Sequence, residues 1–548
     1  MKKILINAFI LLSLVSCSNY DEINTNIYGA TDKDTKAGGL EYGAPFQRMQ
    51  QLVIPIGSPA QTTGPGNDLQ NTDLISSGNY IGYFGNNNNW NGQIEASWNF
   101  RDDRMSYAYK NFYSNIFREW LSIKRSVGTS QDIQDKRVLA LANILKIAAW
   151  QRATDVFGPI VFTNAGKGDI NPPLDSQETV YRAMLEELDA SVETLTGGSF
   201  LMKDYDAIYD GNVSNWIKFA NSLMLRIAVR THFKDASLAS TYIQKAINGG
   251  VMETVSDEAK IQNSAKMPLK NSMMPSVDEY DETRMGLTIW AYLKGYNDPR
   301  ISKYFTKGLR EGEEDYYAVV PTSTFQKQTN QNSPKFASRP DVNDNSPLFW
   351  MRTSEVLFLK AEAALYNLGG LSSSQAKTFY EEGVKMSFQE NGISGRETAY
   401  LNQTDTPENF SGYWYDAPWW YGIPGYSYDI SHNSTSPKWD DLKTGKDEQE
   451  EQLQKIITQK YLAMYPNAVE AWTEYRRTGY PLIMKYADKD APARINCPTC
   501  FVPERFKYSK TEYDTNPNLI KQLPDLLKGE DTGGTQLWWV RPNRPQQQ

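Results

Sequence analysis

"DEQEEQLQKIITQKYLAMYPNAVEAWTEYRRTGYP", residues 447–481, is the stretch on which the reading of the fold turns. Leu453, Ile456, Ile457, Tyr461 and Met464 recur at three- and four-residue spacing, which places them on one face of a helix. The acidic run at 447–451 complements the positive end of that helix's dipole.

The same period recurs upstream. Residues 135–160, "DKRVLALANILKIAAWQRATDVFGPI", put Val138, Leu141, Leu145, Ala148 and Ala149 on one stripe, with Gly158-Pro159 as the stop. Residues 212–232, "NVSNWIKFANSLMLRIAVRTH", predict a helix capped by Ser214, with Ile217, Ala220, Leu223, Met224 and Ile227 inward. In "SPLFWMRTSEVLFLKAEAALYNLGG", residues 346–370, Val356, Leu357, Ala361, Ala364 and Leu365 share a face, and Gly369-Gly370 predict the C-cap. Small residues such as Ala361, Ala363 and Ala364 let helices approach closely, as in stacked helical hairpins. No repeat of fixed period is visible, and alternating strand patterns are few. The expectation is a mainly α scaffold with long polar connections at 57–100, 315–347, 402–446 and 496–548.

The first residues read as an address. Lys2 and Lys3 precede an apolar run at 4–15, too short to span a bilayer, and "LVSC" closes it at Cys17. Ser16-Cys17 resembles the lipobox of bacterial lipoproteins, which implies cleavage after residue 16 and acylation at Cys17. The expected organisation is a signal peptide at 1–16, a polar tether at 17–26 and one domain over 27–548. With 57 basic against 65 acidic residues, the chain does not advertise nucleic-acid or anionic-membrane binding, so its membrane contact is expected through lipid alone. Cys497 and Cys500 in "NCPTC" fit a local disulfide best, with a free pair, a redox motif or a metal half-site as alternatives. A zinc site wants four ligands and only His232 and His432 are on offer, so neither metal nor cofactor is expected.

Aromatics are abundant: 33 Tyr, 21 Phe and 14 Trp. In "SGNYIGYFGNNNNWNGQIEASWNF", residues 77–100, Tyr80, Tyr83, Phe84, Trp90 and Trp98 alternate with Gly and Asn. Aromatic faces stack on sugar C–H faces, and Asn amides serve hydroxyls as donor and acceptor, so these rings are ligand candidates; a loop pinned by its own aromatics is the alternative. Trp290, within "DEYDETRMGLTIWAYLKGYNDPR" at 278–300, is a second candidate, although Ile289 and Leu293 beside it favour packing. A third is "GYWYDAPWWYGIPGYSYDI", residues 412–430, where Trp419 and Trp420 can line a pocket or dock a partner. Arg152, Asp155, Arg226, Arg230, Glu474, Arg476 and Arg477 sit on helices and read as ion pairs that fix helix register.

The lipobox, "NILKIAAWQRATDVFGPI", "NWIKFANSLMLRIAVR", "NDPR", "TSEVLFLKAEAAL", "IITQKYLAMYPNAVEAWTEYRRTGYP", "RFKYSKTEY" and "DTGGTQLWW" together resemble the SusD/RagB family of Bacteroidetes outer-membrane lipoproteins. That resemblance implies one helical domain with tetratricopeptide-like helix pairs and ligand-binding loops. It implies a surface-exposed outer-membrane location, a SusC-type TonB-dependent transporter as partner, and a glycan or peptide ligand, glycan first. It also implies that Trp90 or Trp98 takes the place of an early-loop tryptophan that contacts glycan in some members. The rival class is a surface glycoside hydrolase, for which Glu470 and Glu474 share a helical face. No nucleophile elbow, zinc-protease motif or phosphate loop is present, and two histidines leave little imidazole chemistry, so a non-enzymatic binding protein is expected.

Overall fold

The computed structural model describes residues 40–57, 68–86, 98–310, 312–319, 336–410, 432–443, 447–485 and 490–545. Its helices are α1 (Leu40–Val53), α2 (Asn115–Val127), α3 (Ile133–Phe157), α4 (Gln177–Leu195), α5 (Val213–Thr231) and α6 (Ala236–Gly249). They continue as α7 (Leu287–Gly295), α8 (Thr353–Leu365), α9 (Ala376–Glu390), α10 (Glu448–Ala463), α11 (Ala468–Thr478) and α12 (Pro517–Leu527), with shorter turns between. Three two-stranded antiparallel ribbons complete the described elements: β1 (Phe84–Asn86) with β3 (Thr283–Met285), β2 (Ala259–Ile261) with β6 (Leu348–Met351), and β4 (Gly308–Arg310) with β5 (Glu313–Asp315).

Side-chain caps start the helices where orphan backbone N–H groups need an acceptor. Asp132 accepts from Gln134 N, Ser176 from Thr179 N, Asp235 from Leu238 N and Asp447 from Glu450 N. Helix α3 stops at Gly158, as the sequence predicts. Two boundaries differ from expectation. Asn212, not Ser214, caps α5 by accepting from Asn215 N. Helix α8 ends at Leu365, four residues before Gly369, with Asn367 taking the left-handed conformation (φ 54°). Both shifts exchange one competent capping residue for another nearby.

The helices stack in sequence: α1 on α2 and α3, α3 on α4, α4 on α5, α5 on α6 and α8, and α8 on α9 and α10. Successive packed pairs of this kind are the tetratricopeptide-like arrangement that the resemblance implies. Ala361, Ala363 and Ala364 are fully buried in α8. Within the α8–α9 pair, a Cβ at Gly383 would lie 2.8 Å from the Phe358 ring, so a larger residue there would force the ring or its helix to shift.

Charges clamp the stack from inside. Arg230 of α5 bridges Asp155 of α3 and Glu470 of α11, and lies 3.5 Å from Glu474. Arg226 pairs with Glu355 of α8 at 2.7 Å, and Arg477 reaches Glu362 and Glu474 at 2.6 Å each. Lys460 of α10 lies 3.5 Å from Glu470 and 3.6 Å from Glu474. These side chains are at most 7 % exposed, so the network joins five helices in a low-dielectric interior. Arg152 pairs with Asp73 at 2.6 Å, while Arg476 donates to the backbone carbonyls of Asp155 and Glu504. Arg152, Asp155, Arg226, Arg230, Glu474 and Arg477 thus form the ion pairs that the sequence led us to expect, whereas Arg476, expected in the same role, is held by backbone carbonyls instead.

Candidate functional site

The described part of the early aromatic segment, residues 77–86 and 98–100, does not fold as a free loop. Residues Gln70–Ser77 form a π-helical turn whose members are all buried, continued by a helical turn Gly78–Tyr80 and then β1. Tyr80 packs edge-on against Trp472 (5.3 Å between centroids) and Trp98 (6.5 Å). Tyr83 stacks on Tyr461 at 4.5 Å and donates its hydroxyl to the Tyr461 carbonyl. Phe84 tilts against Tyr465 at 5.7 Å. Tyr80, Tyr83, Phe84 and Trp98 are at most 3 % exposed. Their faces are covered by protein, so they bind the floor of the site to α10 and α11 and offer no stacking surface to a ligand. This corrects their expected role: Gly and Asn between the rings mimic a loop, yet long-range packing buries them. Trp90, Trp419 and Trp420 lie outside the described residues, as does Cys17. Cys497 and Cys500 are joined in a disulfide with Cα atoms 5.4 Å apart. "NDPR" also has a structural use. Arg300 pairs with Asp298 at 2.6 Å and donates to Ser387 and Gln459, tying α9 to α10 with both charges buried.

Above this floor lies a small platform made of the β1–β3 ribbon and α7. The register pairs Phe84 with Met285, Gly85 with Arg284 and Asn86 with Thr283. Gly85 is required by proximity, since a Cβ there would lie 2.9 Å from Val319 Cβ. Val319 N donates to Met285 O, and Met285 N donates to Ser338 O, both at 2.8 Å, so both flanks of segment 320–335 are tied to β3. Glu408 N donates to Ala291 O at 2.9 Å, and Asn433 Nδ2 donates to the Tyr292 hydroxyl at 2.7 Å, tying both flanks of segment 411–431 to α7. The chain enters segment 87–97 directly from β1. Met484 N donates to Thr288 Oγ1 just before 486–489. Described residues flanking four sequence-distant stretches, including the Asn-rich and Trp-rich ones, thus meet on one structural patch.

Trp290 belongs to this platform. It is half-buried, its indole N–H donates to Tyr316 O at 2.8 Å, and its ring meets Phe410 edge-on at 5.8 Å. Its orientation is fixed while part of its surface stays open, a state suited to apolar recognition. Beside it Lys294 pairs with Asp315 at 2.8 Å; partial burial would push that carboxyl up, but the Lys294 ammonium outweighs it and holds Asp315 below the usual range. Burial holds the Tyr83 and Tyr296 phenols well above their ordinary range, so both stay protonated donors. Among the described residues no cluster of three metal-ligating side chains occurs, and no helix is long and apolar enough to cross a membrane.

A family model for SusD-like proteins, described as Susd and RagB outer membrane lipoprotein, matches residues 22–540. The chain belongs to the SusD-like family. Among solved structures, BT1043 is 57% identical with a TM-score of 0.88, over 93% of this chain and all of that one. A SusD homologue from Bacteroides vulgatus is 29% identical (TM-score 0.81, 93% of this chain and 100% of that one). A chitin-binding SusD homologue from Flavobacterium johnsoniae is 28% identical (TM-score 0.78, 92% and 99%). No curated protein matches the chain. The SusD-like family is one of outer-membrane lipoproteins, and the mainly helical fold expected from the sequence is that of its solved members.

Proposed function

We propose that this chain is a surface-exposed outer-membrane lipoprotein, acylated at Cys17, that captures a glycan and passes it to a SusC-type TonB-dependent transporter. The observation that carries the reading is the half-buried Trp290, held in place by Tyr316 and Phe410 on the β1–β3 and α7 platform, to which the described residues flanking the Asn- and Trp-rich stretches also attach. Family membership and a chitin-binding homologue support glycan as the ligand class. A peptide ligand is the second reading, because the matched family includes RagB as well as SusD. Hydrolysis by Glu470 and Glu474 has no support from their surroundings. Both are buried, and although burial alone would push Glu474 up, Arg477, Lys460 and Arg230 hold it far below the range of a general acid.

Pull-down of the tagged chain from native outer membranes in mild detergent tests the partner, with recovery of a large β-barrel protein as the expected result. Cys17→Ala is expected to move the chain from the membrane to the soluble fraction. A variant that stays membrane-bound, or a pull-down without a barrel, contradicts the lipoprotein-and-transporter reading.

A further inference from the structure

A concavity lies outside the platform. It is an open groove of about 510 Å³ between the short helical turn Pro275–Glu279 and the loop at 343–345. Lys270 crosses it, with its ammonium 3.0 Å from Glu279 and 3.8 Å from Asp344. Asp278 lines the same wall as Glu279 and is held by Arg339 at 3.1 Å. Arg339 directly follows Ser338, whose carbonyl pairs with Met285, so the groove borders the platform.

The opposite wall carries Asn343 and Asn345, and a hydrogen-bond relay sets their orientation. Leu269 N donates to Asn263 Oδ1, which turns Asn263 Nδ2 toward Asn345 Oδ1 at 2.8 Å. Asn345 N donates to Asn343 Oδ1 at 2.9 Å. An Asn amide accepts only through its oxygen, so both amide oxygens are committed to the relay and both Nδ2 groups are left as donors. One wall therefore offers amide donors and the other carboxylate acceptors. Adjacent hydroxyls of a sugar ring, each both donor and acceptor, satisfy such a pair of walls. The lining holds one ammonium against three carboxylates, a balance that disfavours an anionic ligand. Its volume falls within the range of small-ligand sites.

We infer that this groove is a further saccharide subsite, selective for neutral sugar units, which extends the footprint of a glycan held at the platform. The inference rests on the glycan reading above, and its test separates the two. Asn343→Asp with Asn345→Asp keeps each inward-facing oxygen, preserves the relay and replaces both donors with acceptors. The full chain and this double variant are titrated calorimetrically with chitotetraose, maltotetraose, laminaritetraose and tetragalacturonate. At least one neutral tetrasaccharide binds the wild type, the double variant binds it at least tenfold more weakly with an unchanged unfolding temperature, and tetragalacturonate binds neither. Equal affinity of wild type and variant overturns the subsite and leaves the glycan reading standing, as does tight binding of tetragalacturonate to the wild type. If none of the neutral tetrasaccharides binds the wild type, the glycan reading falls and the subsite falls with it.

Discussion

Replacing Arg230 with Met tests whether the buried charges hold the helices that support the platform. Arg230 and Asp155 are at most 1 % exposed at the side chain, and Glu470 is 5 % exposed. Removing the guanidinium affects the two carboxylates unequally. Glu470 keeps Lys460 at 3.5 Å and Arg226 at 3.9 Å. Asp155 keeps only neutral side-chain hydrogen bonds, from Tyr181 and from Gln151 at 3.2 Å. A buried carboxylate stripped of its partner costs about 3–5 kcal/mol, a large share of a total stability of about 5–15 kcal/mol. Arg230→Met is therefore expected to lose about 3–5 kcal/mol in urea unfolding at pH 7 followed by tryptophan fluorescence. Adding Asp155→Asn removes the stranded charge and is expected to regain about 1–4 kcal/mol. A single variant within about 1 kcal/mol of wild type, or a double variant less stable than the single one, refutes the reasoning.

Two further outcomes follow from the same interior. Burial pushes the Glu390 carboxyl up to about 7 against the pull of Arg352, 3.7 Å away. A carboxyl raised above its unfolded value of about 4.3 lends stability that is complete below that value and lost as pH rises through 7, about 3.7 kcal/mol in all. Glu390→Gln should therefore gain about that much relative to wild type between pH 4.5 and 8.5 in thermal melts, and a gap that does not change with pH contradicts it. Trp98→Ala, in a fully packed site beside Tyr80, is expected to cost about 3–5 kcal/mol of stability while leaving ligand affinity per folded molecule unchanged. Loss of affinity without loss of stability would return Trp98 to the ligand.

The helical scaffold was legible because its apolar period and caps are local properties. Asp447 and Gly158 act where the sequence places them. The charged residues on those helices were legible as ion-pair members, but partners such as Glu355 and Lys460 were not, because pairing depends on how distant helices meet. The aromatic run at 77–100 misled for a related reason. Its composition is that of a loop, while the burial of Tyr80, Tyr83 and Phe84 under Tyr461, Tyr465 and Trp472 is set by residues nearly 400 positions away. Asn271 N donates to Asp344 O, joining the two edges of the groove; they lie over 70 residues apart in sequence, with nothing local to signal the match.

Isothermal titration of the purified chain from residue 18 onward, against an oligosaccharide panel and a peptide mixture, tests the capture claim most directly. The account predicts saturable binding of one glycan class with no new reducing ends formed, weakened roughly tenfold by Trp290→Ala, a loss of about 1.4 kcal/mol. Heat from peptides alone, binding indifferent to Trp290, or cleavage of the bound glycan would contradict it.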